Sequence, residues 1–188
     1  MSLFSTLREP RSAARWILLF SLAGLGIRLA LLISAGWRYD YDEGMVGLQV
    51  RHILQGERPI FHPGQPYLGA LESYLIAPLF ALFGSNAVTL KIIPWLLSGM
   101  YVGTTGWLGK LAFNRRVGVL SALLAACAPP YLLIVGTKTW GATAETLVLG
   151  NLALICTITA TNARPPAAQN RAVVWLGIIG GIAFWVSW

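Results

Sequence analysis

Apolar runs near the length of a bilayer crossing recur along this chain, over 16–36, 67–84, 89–108, 117–135, 142–161 and 172–188. About 20 predominantly apolar residues cover the hydrocarbon core of a membrane as a helix. Charged residues make up only 11% of the chain, against about 25% in soluble domains. Short alternating segments, the mark of a transmembrane barrel, do not stand out. The expected fold class is all-α: a polytopic α-helical membrane protein. About five transmembrane helices are expected, with one or two juxtamembrane helices in a first external loop over 37–84.

The net charge of +7 does not indicate a nucleic-acid partner, because the basic residues lie between apolar runs. A nucleic-acid binder gathers them on one soluble face. Cys127 and Cys156 fall inside apolar runs and read as small core residues rather than a disulfide or metal pair. The first run follows "REPRSAAR" and is longer than a signal-peptide core, so an uncleaved span with a cytoplasmic N-terminus is expected. The last run reaches Trp188 with no polar tail. Residues 1–188 are therefore expected to be the N-terminal part of a single, larger transmembrane domain.

The run over 67–84 is short and contains Glu72. Cytoplasmic loops are enriched in Lys and Arg, and this decides its topology. If the run does not cross, Arg8, Arg11, Arg15, Lys110, Arg115, Arg116, Arg164 and Arg171 lie inside. Only Arg38, Arg51, Arg58, Lys91 and Lys138 then lie outside. If it crosses, the balance reverses. The expectation is that 67–84 dips into or lies on the outer surface. Six of the seven acidic residues, all but Glu9, then also face outside.

The external loop opens with "WRYDYDEG", which holds three of those acids. Asp42 is expected to cap a helix starting at Glu43. Val46, Val50, Ile53 and Leu54 would share its apolar face, leaving Gln49, Arg51, His52 and Gln55 to the surface. Gly56 reads as its stop, and Pro63-Gly64 as a turn. Such a helix would lie flat on the membrane.

The order of these features resembles a known family. The acidic pair in "YDEG", the helix "MVGLQVRHILQGE" and the segment "PGQPYLGALESYLIAPLFALFG" precede further spans. Together they resemble the N-terminal third of GT-C-type membrane glycosyltransferases. The likeness is greatest to the family of protein O-mannosyltransferases and bacterial aminoarabinose transferases. It covers roughly 16–149 and is clearest over 41–84. It implies transfer of a sugar from a polyprenyl-phosphate donor to a glycan, lipid or protein acceptor, at an extracytoplasmic site, here in a bacterial inner membrane. It also implies that Asp42 is the key acid with Glu43 its partner, and that Glu145 is a further acid at the outer end of a span. Many relatives carry a basic residue before two prolines where this chain has Gln65-Pro66-Tyr67.

The chemistry names the residue types needed. An acceptor hydroxyl loses its proton as it attacks the sugar, and a carboxylate serves as base; Asp42 is the choice, with Glu43 beside it. The leaving phosphate needs positive charge, available externally from Arg51, Arg58 and Lys138, with Glu145 also placed among the substrate contacts. A divalent metal, Mg or Mn, would take oxygens from Asp40, Asp42 or Glu145. Plainer readings stand beside these: Asp40 as a solvated loop residue, Glu43 as helix-dipole support, and His52 and His62 as structural or solvated. Glu72 reads as either an interfacial or a site residue. Arg28 is expected to pair internally or to snorkel. Trp16, Trp37, Trp95 and Trp140 suit interfacial anchoring. The alternative function is a non-enzymatic polytopic protein, a transporter subunit or an assembly scaffold.

Overall fold

The computed structural model describes residues 10–162 and 165–187. Arg8, Glu9 and Arg164, and the side chain of Arg11, lie outside the described residues, so the charges assigned to them above rest on sequence alone. The first apolar run forms α1 (Pro10–Ser34). The external loop holds α2 (Tyr41–Leu54), a hairpin of β1 (Phe61–His62) and β2 (Gln65–Gly69), and α3 (Leu71–Phe83). Then come α4 (Ala87–Ala112), α5 (Arg115–Ala126), α6 (Pro130–Val135), α7 (Thr143–Asn162) and α8 (Pro166–Val186). Segments of α1, α4, α7 and α8 are long and apolar enough to cross a membrane. The chain is a mostly helical protein of the membrane-spanning type, and the only strands among the described residues are those of the hairpin.

Two asparagines start helices at the ends of the bundle. Asn86 Oδ1 accepts from the Thr89 N–H at 2.9 Å, and Asn114 Oδ1 from those of Arg116 and Val117 at 3.0 and 3.1 Å. Each satisfies donors that the first helical turn leaves unpaired. The short 113–114 link folds α5 back on α4. There the backbones meet through glycine: a Cβ on Gly118 would stand 2.7 Å from the Gly106 carbonyl oxygen. Small residues drive helix association in lipid, where apolar side chains gain nothing by leaving the solvent. Asn151 of α7 donates to Thr104 and Thr105 of α4 at 3.1 and 2.9 Å, a polar tie at mid-helix.

The run expected as one span over 117–135 is broken. Helix α5 stops at Cys127, Pro129-Pro130 cannot continue it, and α6 resumes for six residues. The two pieces together still run the length of α4. Gly118 packs on Lys110 near one end, and the Thr137 carbonyl accepts from Lys91 Nζ at the other, at 3.4 Å. A break at this depth strands the last carbonyls of α5. Arg28 of α1 supplies donors: Nη1 to Ala126 O at 3.4 Å and Nη2 to Ala125 O at 3.3 Å. Nη1 also reaches Gly24 O at 3.1 Å. Arg28 thus pairs internally. Cys127 is exposed and Cys156 half-buried, so neither is the core residue expected.

Everything from the end of α1 to the start of α4 gathers at one end of the bundle, the loop end. Val46 and Val50 of α2, Ile76, Ala77 and Phe80 of α3, and Leu90 of α4 form a buried cluster there. Helix α3 keeps both its ends at this level: Glu72 bonds the 136–142 loop, while Phe80 packs with Leu90. Its 13 residues extend about 20 Å, short of the ~30 Å hydrocarbon core. Helix α8 returns to the loop end, where Trp185 Nε1 donates to Ile60 O at 2.9 Å and Ser187 pairs with Leu68.

Candidate functional site

Asp40, not Asp42, caps α2. Asp40 Oδ1 accepts from the Glu43 N–H at 3.1 Å, and Glu43 Oε2 accepts from the Asp40 N–H at 3.2 Å. This Asp-x-x-Glu capping box starts the helix at Tyr41, two residues earlier than expected. The box turns the Glu43 carboxylate inward, where it is fully buried.

Glu43 is then surrounded by donors. Oε1 accepts from Lys91 Nζ of α4 in a very short contact and from the Thr139 N–H at 3.0 Å. Oε2 accepts from Lys138 Nζ at 3.0 Å. A buried charge persists only when paired and hydrogen-bonded, and Glu43 meets both conditions. Lys138 Nζ also donates to Asp40 Oδ2 at 2.8 Å, which the Trp140 indole reaches at 3.1 Å. Partial burial works against the Asp40 charge, but these donors win and hold its carboxyl down at about 2. Lys138 loses some charge stability to burial; Asp40 and Glu43 more than restore it and raise its pKa.

One further bond ties the loop to α4. Pro94 has no N–H to offer the carbonyl of Leu90, four residues back. That carbonyl accepts from Thr139 Oγ1 instead, at 3.2 Å. Proline in the helix thus creates a docking point for the loop that carries Lys138.

A second polar cluster lies under the hairpin. Gln49, expected on the surface, is buried. Its Nε2 donates to Phe61 O at 2.9 Å, and its Oε1 accepts from Ser73 Oγ and faces His62 Nδ1, both at 2.8 Å. Burial lowers the His62 pKa, with the Asp42 charge opposing in part. Glu72 Oε2 accepts from the Gly141 N–H at 2.6 Å. Among the described residues, Glu72 Oε1 and both oxygens of buried Glu145 have no hydrogen-bond partner.

The remaining expected site residues separate. Asp42 is exposed, and no hydrogen bond or ion pair engages its carboxylate among the described residues. Arg51 lines a distinct cleft of about 300 Å³ with Tyr39 and Asn86. Arg58 is exposed in the link before the hairpin. Among the described residues neither arginine ion-pairs with an acid. Among the described residues no three of His, Cys, Asp and Glu group closely enough to hold a metal ion. Asp40, Asp42 and Glu145 therefore do not form the ligand set expected of them, and Asp40 is already committed to Lys138 and Trp140. The signal for Lys91 is in the sequence: a lone lysine inside an apolar run marks a functional or paired charge.

The fold and this cluster define a helical membrane protein with a paired acid–base centre at one end of its bundle. Comparison with protein-family models, with curated proteins and with solved structures returns no match.

Proposed function

We propose that the chain forms part of a membrane glycosyltransferase that uses a polyprenyl-phosphate-linked sugar at the loop end. In this reading α5 and α6 count as one broken crossing, giving five with α1, α4, α7 and α8. By chain position eight Lys and Arg residues flank the far ends of the helices and five the loop end, a bias that supports an extracytoplasmic loop end. The observation that carries the reading is the Glu43 centre. It fixes two lysines and an acid-bearing helix at the rim of lipid-facing helices, where a lipid phosphate and a water-soluble acceptor can meet.

The reaction assigns one role to each group. The acceptor oxygen attacks C1 of the sugar, the bond from C1 to the phosphate oxygen breaks, and its electron pair leaves on the phosphate. The hydroxyl proton passes to Asp42, whose free, exposed carboxylate can accept it. Glu43 is a positioning residue here, because all its lone pairs are engaged. A transport subunit is the second reading, favoured by the broken α5–α6 pair inside the bundle.

The full-length protein in proteoliposomes, supplied with a polyprenyl-phosphate-linked sugar and with glycan, lipid and protein acceptors bearing free hydroxyls, tests both. Release of polyprenyl phosphate should fall about 100-fold or more in Asp42→Asn, with folded yield unchanged. Turnover equal to wild type in that variant removes Asp42 as base. No release from the wild-type protein removes the transferase reading.

A further inference from the structure

A groove of about 340 Å³ runs between the last turn of α1 and α6. Its wall is apolar, with Leu31, Leu32 and Ile134; its mouth carries Arg38, Lys91 and Lys138. Leu31 and Ile134 are exposed along helices that face lipid. Gly36 and Trp37, both at positive φ (64° and 56°), end α1 and bring the chain round so that Arg38 borders this mouth.

The charges do not cancel. Three cations face two carboxylates, Asp40 and Glu43; Lys91 also acts on Glu72, but burial and the neighbouring Glu145 push the Glu72 pKa up and favour its neutral form, leaving one positive charge in excess. Lys91 is buried and held by Glu43 and Thr137. Lys138 uses two of its three N–H donors on Asp40 and Glu43; the third makes no hydrogen bond among the described residues, and Nζ stands 5.7 Å from the centre of the Trp140 ring. Arg38 is exposed and makes no hydrogen bond or ion pair with its side chain among the described residues. Cationic groups above an apolar wall at the membrane boundary match an amphiphile with an anionic head.

We propose that this groove seats a lipid bearing a single-charge phosphodiester head, with Arg38 and Lys138 contacting the phosphate and the chain lying along Leu31, Leu32 and Ile134. The excess of one positive charge fits a phosphodiester monoanion. A phosphomonoester gains a second charge near pH 6 that the adjacent Asp40 and Glu43 repel. A polyprenyl-phosphate-linked sugar is itself a phosphodiester, and as a seat for that donor the inference rests on the transferase reading. The site is tested by binding alone, so the two can fail separately.

Lipid retention by the full-length protein is measured by native mass spectrometry from nanodiscs. The probes are phosphatidylglycerol, phosphatidylcholine and phosphatidic acid. The expected result is a preference for phosphatidylglycerol over phosphatidylcholine that drops about fivefold in Arg38→Gln, at unchanged thermal stability. Inorganic phosphate in the millimolar range should not displace the bound lipid. An unchanged preference in Arg38→Gln overturns the site. Displacement by free phosphate overturns the lipid as its source, and tighter binding of phosphatidic acid overturns the single-charge assignment.

Discussion

Lys138 and Asp40 are 98 residues apart in the chain and meet at 2.8 Å. Their contact joins the cap of α2 to the loop before α7, and Glu43 and Lys91 lie directly beneath it. The pair therefore closes a buried centre against the aqueous face. Asp40 has two separable tasks in it, as helix cap and as counter-charge.

Asparagine caps as well as aspartate, so Asp40→Asn removes only the charge. It should cost at most about 1 kcal/mol, because the pair is partly exposed. Asp40→Ala also removes the cap and should cost about 1 kcal/mol more. The Asp40 pKa is depressed in the folded state, to about 2. Its stabilisation is thus complete above the unfolded value near 4 and disappears as pH falls toward 2. Thermal unfolding in detergent between pH 5 and 2 reads this directly; an Asp40→Asn curve parallel to wild type over that range refutes the charge contribution.

Glu43 and Lys91 form the most buried ion pair among the described residues. Lys91→Met leaves Glu43 without its closest cation and should destabilise by about 3–5 kcal/mol. The double variant Glu43→Leu, Lys91→Met should recover much of that loss, since well-packed apolar residues often replace a buried pair at little cost. Equal stability of Lys91→Met and wild type would show that the pair contributes nothing to the fold.

The apolar runs made the spans legible, and Pro129-Pro130 was visible as an interruption within one of them. The capping box was present in the letters as Asp40-x-x-Glu43. Asp42 also fits a cap if the helix starts at Glu43, and only the burial of Glu43 against Lys91 and Lys138 decides the register. Those partners lie 48 and 95 residues away, beyond what local spacing can show. Gln49 read as surface because its type is polar. Its burial depends on three partners brought by the hairpin and α3. The separation of Arg51 and Arg58 from the acids is likewise a matter of tertiary packing, since both lie within a few turns of the acids in sequence.

His62 offers a pH test of that second cluster. Its folded pKa is lowered by burial, so the folded state binds protons less readily than the unfolded chain. Stability is complete above the unfolded histidine value near 6.5 and declines as pH falls below it. His62→Gln should abolish this decline between pH 7 and 5. Amide-exchange protection factors across Phe61–Gly69, with the intrinsic pH dependence of exchange divided out, monitor it, and protection factors that stay constant with pH in the wild type would refute the assignment.

Arg28 caps the stranded end of α5 from a neighbouring helix. Arg28→Leu leaves the Ala125 and Ala126 carbonyls without these donors in an apolar setting. Each unsatisfied group costs about 1–3 kcal/mol, so a loss of several kcal/mol is expected. Arg28→Lys supplies one compact charge in place of a fork and should rescue only part. Retention of wild-type stability in Arg28→Leu would mean that water already reaches the break.

The Leu90 carbonyl is available to Thr139 only because Pro94 has no N–H to give it. Thr139→Val should therefore cost about 1 kcal/mol in the native background. In Pro94→Ala the alanine N–H satisfies Leu90 within the helix, and the same Thr139→Val change should cost measurably less. The coupling between the two sites, read from a double-mutant cycle in denaturant or heat, should be about 0.5–1 kcal/mol, in the range for a neutral hydrogen bond. Additive effects would show that the proline and the loop are independent. The sign also bears on the site. Because Thr139 follows Lys138, a weakened dock in Thr139→Val should raise the mobility of Lys138 and shift the Asp40 titration upward, toward the ordinary carboxylate range. Carbon-detected NMR of the Asp40 carboxyl would record that shift.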